Sequence, residues 1–385
     1  MKRILRIVLR ALLVLVLVLA VLAFWKRAEI VRLMAVNSLF SAEKIVGNFS
    51  HMDRLFWTRA LPRGDGPVSP LPEGAPIALP EGADGWIRDR SVTAIVVLKG
   101  GRIVHESYYL GTGPEDLRIS WSVAKSFLSA LFGTVVAEGK IASLDDPVTQ
   151  YAPLLKGSAY DGATIRQVLN MASGVAFNED YLDFNSDINR MGRVLALGGS
   201  MDGFAAGMKD RAAEPGARWH YVSIDTHVLG MVIAGATGRD PADLLDERII
   251  KPLGLEAEPY YLTDGEGTAF VLGGLNLRTR DYARFGQMIL QGGQWQGQPL
   301  VPADWIAAST RPSAPGGALY GYQWWIPENG PGDFMAHGIY GQYIYVSPRR
   351  GVVIAVNSAD RGFEEPGVDE ANVAMLQAIA DRAAR

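Results

Sequence analysis

Apolar and polar residues change period several times along the chain. Between residues 93 and 109, "TAIVVLKGGRIVHESYY" reads as two β-rich runs around Gly100-Gly101, which predicts a hairpin. From Ser122 the pattern predicts a long apolar helix over 122–138. "TIRQVLNMAS", "SIDTHVLGMVIAGATG", "DPADLLDERII" and "TRDYARFGQMILQGG" repeat the helical period. "GYQWWIP", "GQYIYVSP" and "GVVIAVNSA" return to strands, and a last helix is expected over 368–384. There is no internal repeat. Strands at both ends with helices between them predict an α+β fold. An antiparallel sheet assembled from both chain ends would be flanked by helices and carry an additional helical domain.

The N-terminus departs from this texture. Lys2, Arg3, Arg6 and Arg10 precede residues 11–25, "ALLVLVLVLAVLAFW", which carry no charge. Cations before an apolar run predict a signal peptide or, preferably, a membrane helix over 1–25 with the rest of the chain outside the cytoplasm. In a Gram-negative host that is the periplasm; cleavage would make the protein secreted. Residues 26–90 read as a stem followed by a Pro/Gly-rich linker, because prolines 62, 67, 70, 72, 76 and 80 preclude a helix or central strand. The folded domain is expected over 91–385.

Composition narrows the class. Apolar residues make up 48% of the chain and charged residues 20%, as in folded proteins. A net charge of −4 without a basic stripe gives no reason to expect a nucleic-acid partner. The absence of cysteine excludes disulfides, thiolate metal sites, a cysteine nucleophile and a lipidated cysteine anchor. The five histidines form no metal-binding spacing, so neither a metal nor a cofactor is expected.

The candidate chemistry lies in "WSVAKSF". On a helix, Ser122, Lys125, Ser126, Ser129 and Gly133 form one stripe among Val, Ala, Leu and Phe. A buried helix with such a stripe turns it toward something polar inside the protein. Ser122 sits at the N-terminus, where free N–H groups favour developing negative charge. Desolvation lowers the pKa of a buried lysine, and a neutral Lys125 could take the Ser122 proton. "SAEK" at 41–44 has the same spacing, but on a polar segment. Two more parts should accompany a serine–lysine pair. Tyr221, with Ser223 at the start of another apolar helix, offers a proton relay. "AHGIYGQYIYV" at 336–346 offers a glycine-rich strand edge whose backbone N–H would complete an oxyanion hole with that of Ser122.

Together, Ser122-x-x-Lys125, Tyr221-x-Ser223 and the late Gly-x-x-Gly strand resemble the three motifs of the penicillin-recognising serine hydrolases. These include class C β-lactamases, DD-peptidases, family VIII esterases and 6-aminohexanoate-dimer (nylon-oligomer) hydrolases. The resemblance covers roughly residues 90–385, and "SWSVAKSF", "NEDYLDF" and "HGIYGQ" are most similar to the nylon-oligomer branch. It implies a β-lactamase/DD-peptidase-like fold, with Ser122 acylated, Lys125 as base and Tyr221 as relay. It further implies that Ile339 supplies the second oxyanion N–H and that Tyr181 lies on a loop over the substrate. Ser223, His337 and Gly338 are the remaining expected substrate contacts. The departure is Ala336-His337-Gly338, where β-lactamases and DD-peptidases carry Lys-Thr-Gly or a close variant; the lysine is missing. A small-molecule amide or ester is therefore the expected substrate. The alternatives are a β-lactamase or DD-peptidase, or a non-catalytic member that binds cell-wall peptides.

Three further features are expected to be structural. "GGSMDG" around Ser200 lacks the second glycine of a nucleophile elbow and reads as a loop. His220 and His227 are expected to pack or cap. Adjacent Trp324 and Trp325 should face opposite sides of a strand.

Overall fold

The computed structural model describes residues 2–385. Its main sheet contains β1 (Val92–Lys99), β2 (Arg102–Tyr108), β3 (Phe334–Gly338), β4 (Gln342–Ser347) and β5 (Val352–Ser358). The spatial order is β2-β1-β5-β4-β3, antiparallel throughout. Both chain ends build the sheet, as the β-rich runs predict, and Gly100 and Gly101 take the positive φ of the hairpin turn; "GYQWWIP", expected as a strand, forms only isolated bridges.

Seven helices matter for the site: α1 (Lys2–Trp25), α2 (Arg27–Asn37), α3 (Val123–Ala137), α4 (Asp187–Leu197), α5 (Ser223–Thr237), α6 (Thr279–Leu290) and α7 (Val368–Ala384). Strand periodicity divides the sheet's side chains between two cores. Val96, Leu98, Ile344, Val346 and Val353 join the main core with α3 and α6. Ile95, Val97, Tyr345, Ile354 and Val356 join a smaller one under α7. The helical part, including α4 and α5, packs around α3 on the main-core side.

The segment before residue 91 is more than a stem. Leu39, Ile45, Phe49 and Met52 are at most 2% exposed in the main core. Trp57–Ala60 adds a strand to a second, four-stranded sheet, paired with Tyr260–Thr263. The proline-rich stretch then runs beside β2: Gly74 and Ile77 N–H donate to Ile103 and Val104 carbonyls at 2.7 and 2.8 Å. It covers an edge that would otherwise present unpaired backbone groups.

α1 is the exception to burial. Its 23-residue apolar stretch is unburied along its length and spans about 35 Å, long enough for a hydrocarbon core of about 30 Å. Such a helix fits either a signal peptide or an anchor.

Candidate active site

The site begins at an unusual backbone turn. Between the short strand Arg118–Ile119 and α3, Trp121 adopts φ +41°, a conformation rare for a bulky residue. Rings of Phe40 and Phe49, centred 5.8 and 5.5 Å away, pack against its indole. The turn delivers Ser122 to the N-cap of α3, where it is 9% exposed. The rest of the stripe meets polar partners as the sequence predicts. Ser126 and Ser129 hydroxyls donate to the Gln323 and Tyr322 carbonyls, each at 2.7 Å. At Gly133 the Trp305 ring occupies the space a Cβ would need.

Lys125 is 2% exposed, one turn into α3. Its Nζ donates to Ser223 Oγ at 3.3 Å and lies 5.5 Å from the centre of the Tyr221 ring. Desolvation pulls its pKa down to about 7, although Glu179 and Asp225 pull the other way. Burial of Tyr221, reinforced by Glu179, raises its pKa, and the nearby hydroxyls of Ser122 and Ser223 act in the opposite sense. Asp225, one turn along α5, accepts from the Tyr160 hydroxyl at 2.7 Å. Burial raises its pKa to about 7.

Glu179 is a residue that sequence reasoning missed. It lies in "NEDYLDF", whose resemblance points only to Tyr181 on a loop over the substrate. One carboxylate oxygen accepts from the Ser223 hydroxyl and from Tyr181 at 2.8 Å. The other accepts from the Ser223 N–H at 3.0 Å. The carboxylate thus ties the loop to the start of α5. A signal was available: an acid two residues before the expected substrate tyrosine.

The strand edge expected to complete the site comes close to Ser122. A Cβ on Gly338 would lie 2.7 Å from the Ser120 carbonyl oxygen and 3.0 Å from the Ser122 nitrogen. Only glycine therefore lets β3 approach this turn. Tyr340 follows at φ +61° and stacks on Phe40, with ring centres 4.9 Å apart. Among the described residues, the N–H groups of Ser122 and Ile339 make no hydrogen bond within the protein.

Ser122, Tyr181, Ser223 and Ile339 line one cavity of about 260 Å³. His337 lies elsewhere. Alternation along β3 turns its ring away from Ala336 and Gly338, into a second cleft with Trp325 and Asp369. There it stacks on Tyr343, with ring centres 4.6 Å apart, and burial lowers its pKa. Ser200 Oγ donates to Glu266 at 2.8 Å, and His227 pairs with Asp202 at 2.7 Å, which gives both residues structural partners.

A beta-lactamase family model matches residues 83–379. The chain belongs to the beta-lactamase family. Within it, the chain is 30% identical over 328 residues to the 6-aminohexanoate-dimer hydrolase of Paenarthrobacter ureafaciens, covering 80% of this chain and 83% of the relative. It is 29% identical to Esterase EstB of Burkholderia gladioli over 155 residues, about a third of each chain. A Bacillus anthracis structure assigned to the 6-aminohexanoate-dimer hydrolases superposes with a TM-score of 0.80 at 24% identity. It covers 89% of this chain and 95% of that one, and so shows the same fold. The family likeness expected from the three motifs is borne out, and the chain is a serine hydrolase of this fold.

Proposed function

We propose that this hydrolase cleaves esters or amides through an acyl-enzyme on Ser122, with its domain held outside the cytoplasm by α1. The observation that carries the reading is a buried Lys125, its pKa drawn down to about 7, one helical turn from an N-terminal serine. Neutral Lys125 Nζ accepts the Ser122 proton while Oγ bonds to the substrate carbonyl carbon. The N–H groups of Ser122 and Ile339 donate to the resulting oxyanion. As the tetrahedral intermediate collapses, Tyr221 passes a proton to the leaving oxygen or nitrogen and is reprotonated from Lys125. Water then attacks the acyl ester through the same groups and releases the acid. Ser223 and Glu179 position Lys125 and the Tyr181 loop.

This reading fixes a pH dependence. Neutral Lys125 accumulates as pH rises, so kcat/KM for an ester should rise through an apparent pKa near 7. Tyr221 adds no fall below pH 10, because burial raises its pKa above 10.0. Glu179→Gln removes a charge that raises the Lys125 pKa, so the acid limb should move to lower pH. A limb that stays in place, or moves upward, would contradict the link between Glu179 and the base.

Esters and linear amides are favoured over β-lactams. The position where many relatives carry a lysine for the substrate carboxylate is Ala336, fully buried in the main core. One lost charge-assisted contact costs about 1.5–3 kcal/mol, or about 10- to 100-fold in rate. The test is kcat/KM for p-nitrophenyl butyrate against nitrocefin on one preparation. The ester should lead by at least that factor; nitrocefin at or above the ester rate would favour the β-lactamase alternative.

A further inference from the structure

The cavity beside Ser122 has an unusual wall. Much of it is apolar: Phe56, Trp121, Ile188, Leu262, Phe270 and Leu272 belong to the folded domain. Val36, Leu39 and Phe40 come from the N-terminal segment. Those residues lie at and just beyond the end of α2, the helix after the one read as the membrane anchor. Lys26 alone separates α1 from α2, and it takes part on both sides: its N–H donates to the Leu22 carbonyl at 2.8 Å and its carbonyl accepts from Ile30 N–H at 2.9 Å. α2 is 11 residues long, so the end of α1 and the cavity are separated by only about 17 Å of helix.

Apolar side chains are also exposed near the cavity, although Arg193, Asn189 and Asn37 contribute polar groups to its lining and Arg193 lies over the Phe184 ring. Phe184 lines the cavity yet is 66% exposed, and its neighbour Leu182 is 80% exposed. Val31 and Met34 on α2 are 65% and 67% exposed. A water-soluble domain gains nothing by showing these side chains to water, whereas a bilayer surface would cover them.

From these observations we infer that the cavity holds the hydrocarbon tail of a single-tailed acyl ester or acyl amide presented at the membrane surface. The volume of about 260 Å³ is at the small end of ligand cavities, which run to about 300–1,000 Å³, and suits one slender chain rather than a peptide. The chain belongs to the acyl side. Tyr221, which protonates the leaving group, packs against Tyr320 and Trp325 with ring centres 6.4 and 5.4 Å away. Both of those rings line the second cleft, whose rim carries Asp369 and Glu370, so the leaving group is assigned to that side. The tail then lies on the opposite side of Ser122, toward Phe40 and the membrane.

This inference rests on Ser122 being the nucleophile and on α1 being an anchor, and its test separates the three. The full chain is assayed in bilayer nanodiscs with p-nitrophenyl esters from acetyl to dodecanoyl, alongside acetate esters of lengthening alcohols. Each buried methylene contributes about 0.8 kcal/mol, or about fourfold, so kcat/KM should rise at least tenfold from butyryl to octanoyl. The alcohol series should be flat. Gly192 lines the cavity from within α4, and a Cβ there meets nothing within 4 Å. Gly192→Phe should therefore fold normally, project into the cavity, and reduce the octanoyl-to-acetyl ratio at least tenfold. A flat acyl series, a steep alcohol series, or an unchanged ratio in Gly192→Phe would each overturn the inference. If those results came with Ser122 still labelled by a fluorophosphonate, the catalytic reading would survive. A chain that washes off membranes in alkaline carbonate would refute the anchor, and with it the membrane presentation, whatever the ester profile.

Discussion

Ser122→Ala should reduce p-nitrophenyl butyrate turnover to background, a loss of about 10⁶-fold of the size found when groups act as a unit. Lys125→Ala should lose nearly as much, and the double variant no more than the worse single one. The reason is chemical. A serine hydroxyl at its ordinary pKa is a poor nucleophile, and in the proposed mechanism its base is Lys125, buried one turn along the α3 stripe. Near-UV circular dichroism of each variant checks that folding is intact. Full turnover by Ser122→Ala would remove the nucleophile; full turnover by Lys125→Ala would remove only the base.

The second large effect is expected from the smallest substitution. Gly338→Ala adds one methyl group 2.7 Å from the Ser120 carbonyl oxygen and 3.0 Å from the Ser122 nitrogen. Both are backbone atoms of the turn that carries Ser122, so neither can swing aside as a flexible side chain would. β3 must retreat, and Ile339 N–H retreats with it from Ser122 N–H. Loss of one oxyanion donor costs about 10²- to 10³-fold in kcat. A steady-state comparison should show that loss in kcat with a smaller change in KM. An unchanged kcat would mean that the Ile339 N–H is not part of the oxyanion hole.

These two predictions draw on different kinds of information. Ser122 and Lys125 were legible because a stripe of small and polar residues on an apolar helix is a local pattern, and the helix ends within a residue of its expected limits. The sheet from both chain ends was legible because β-rich runs bounded by turn residues lie at both ends, although "GYQWWIP" forms only isolated bridges through Trp325 rather than a strand. His337 was expected beside Gly338 as a substrate contact, yet strand alternation turns the two to opposite sides, and His337 lines the second cleft instead. What stayed hidden depends on distant contacts. Phe40 and Tyr340 stack across 300 positions of sequence, and nothing near residue 40 announces it. Nothing local reveals what Glu179 binds, because its partner Ser223 lies 44 residues away. The N-terminal segment read as a stem because proline content reports backbone freedom, not what the neighbouring apolar residues cover.

The most direct measurement is peptide mass mapping after the full chain reacts with a fluorophosphonate probe. The phosphonyl adduct should sit on the peptide carrying Ser122, and Lys125→Ala should suppress it. An adduct on Ser41, Ser200 or Ser223 instead, or ester hydrolysis with Ser122 unmodified, would contradict the account.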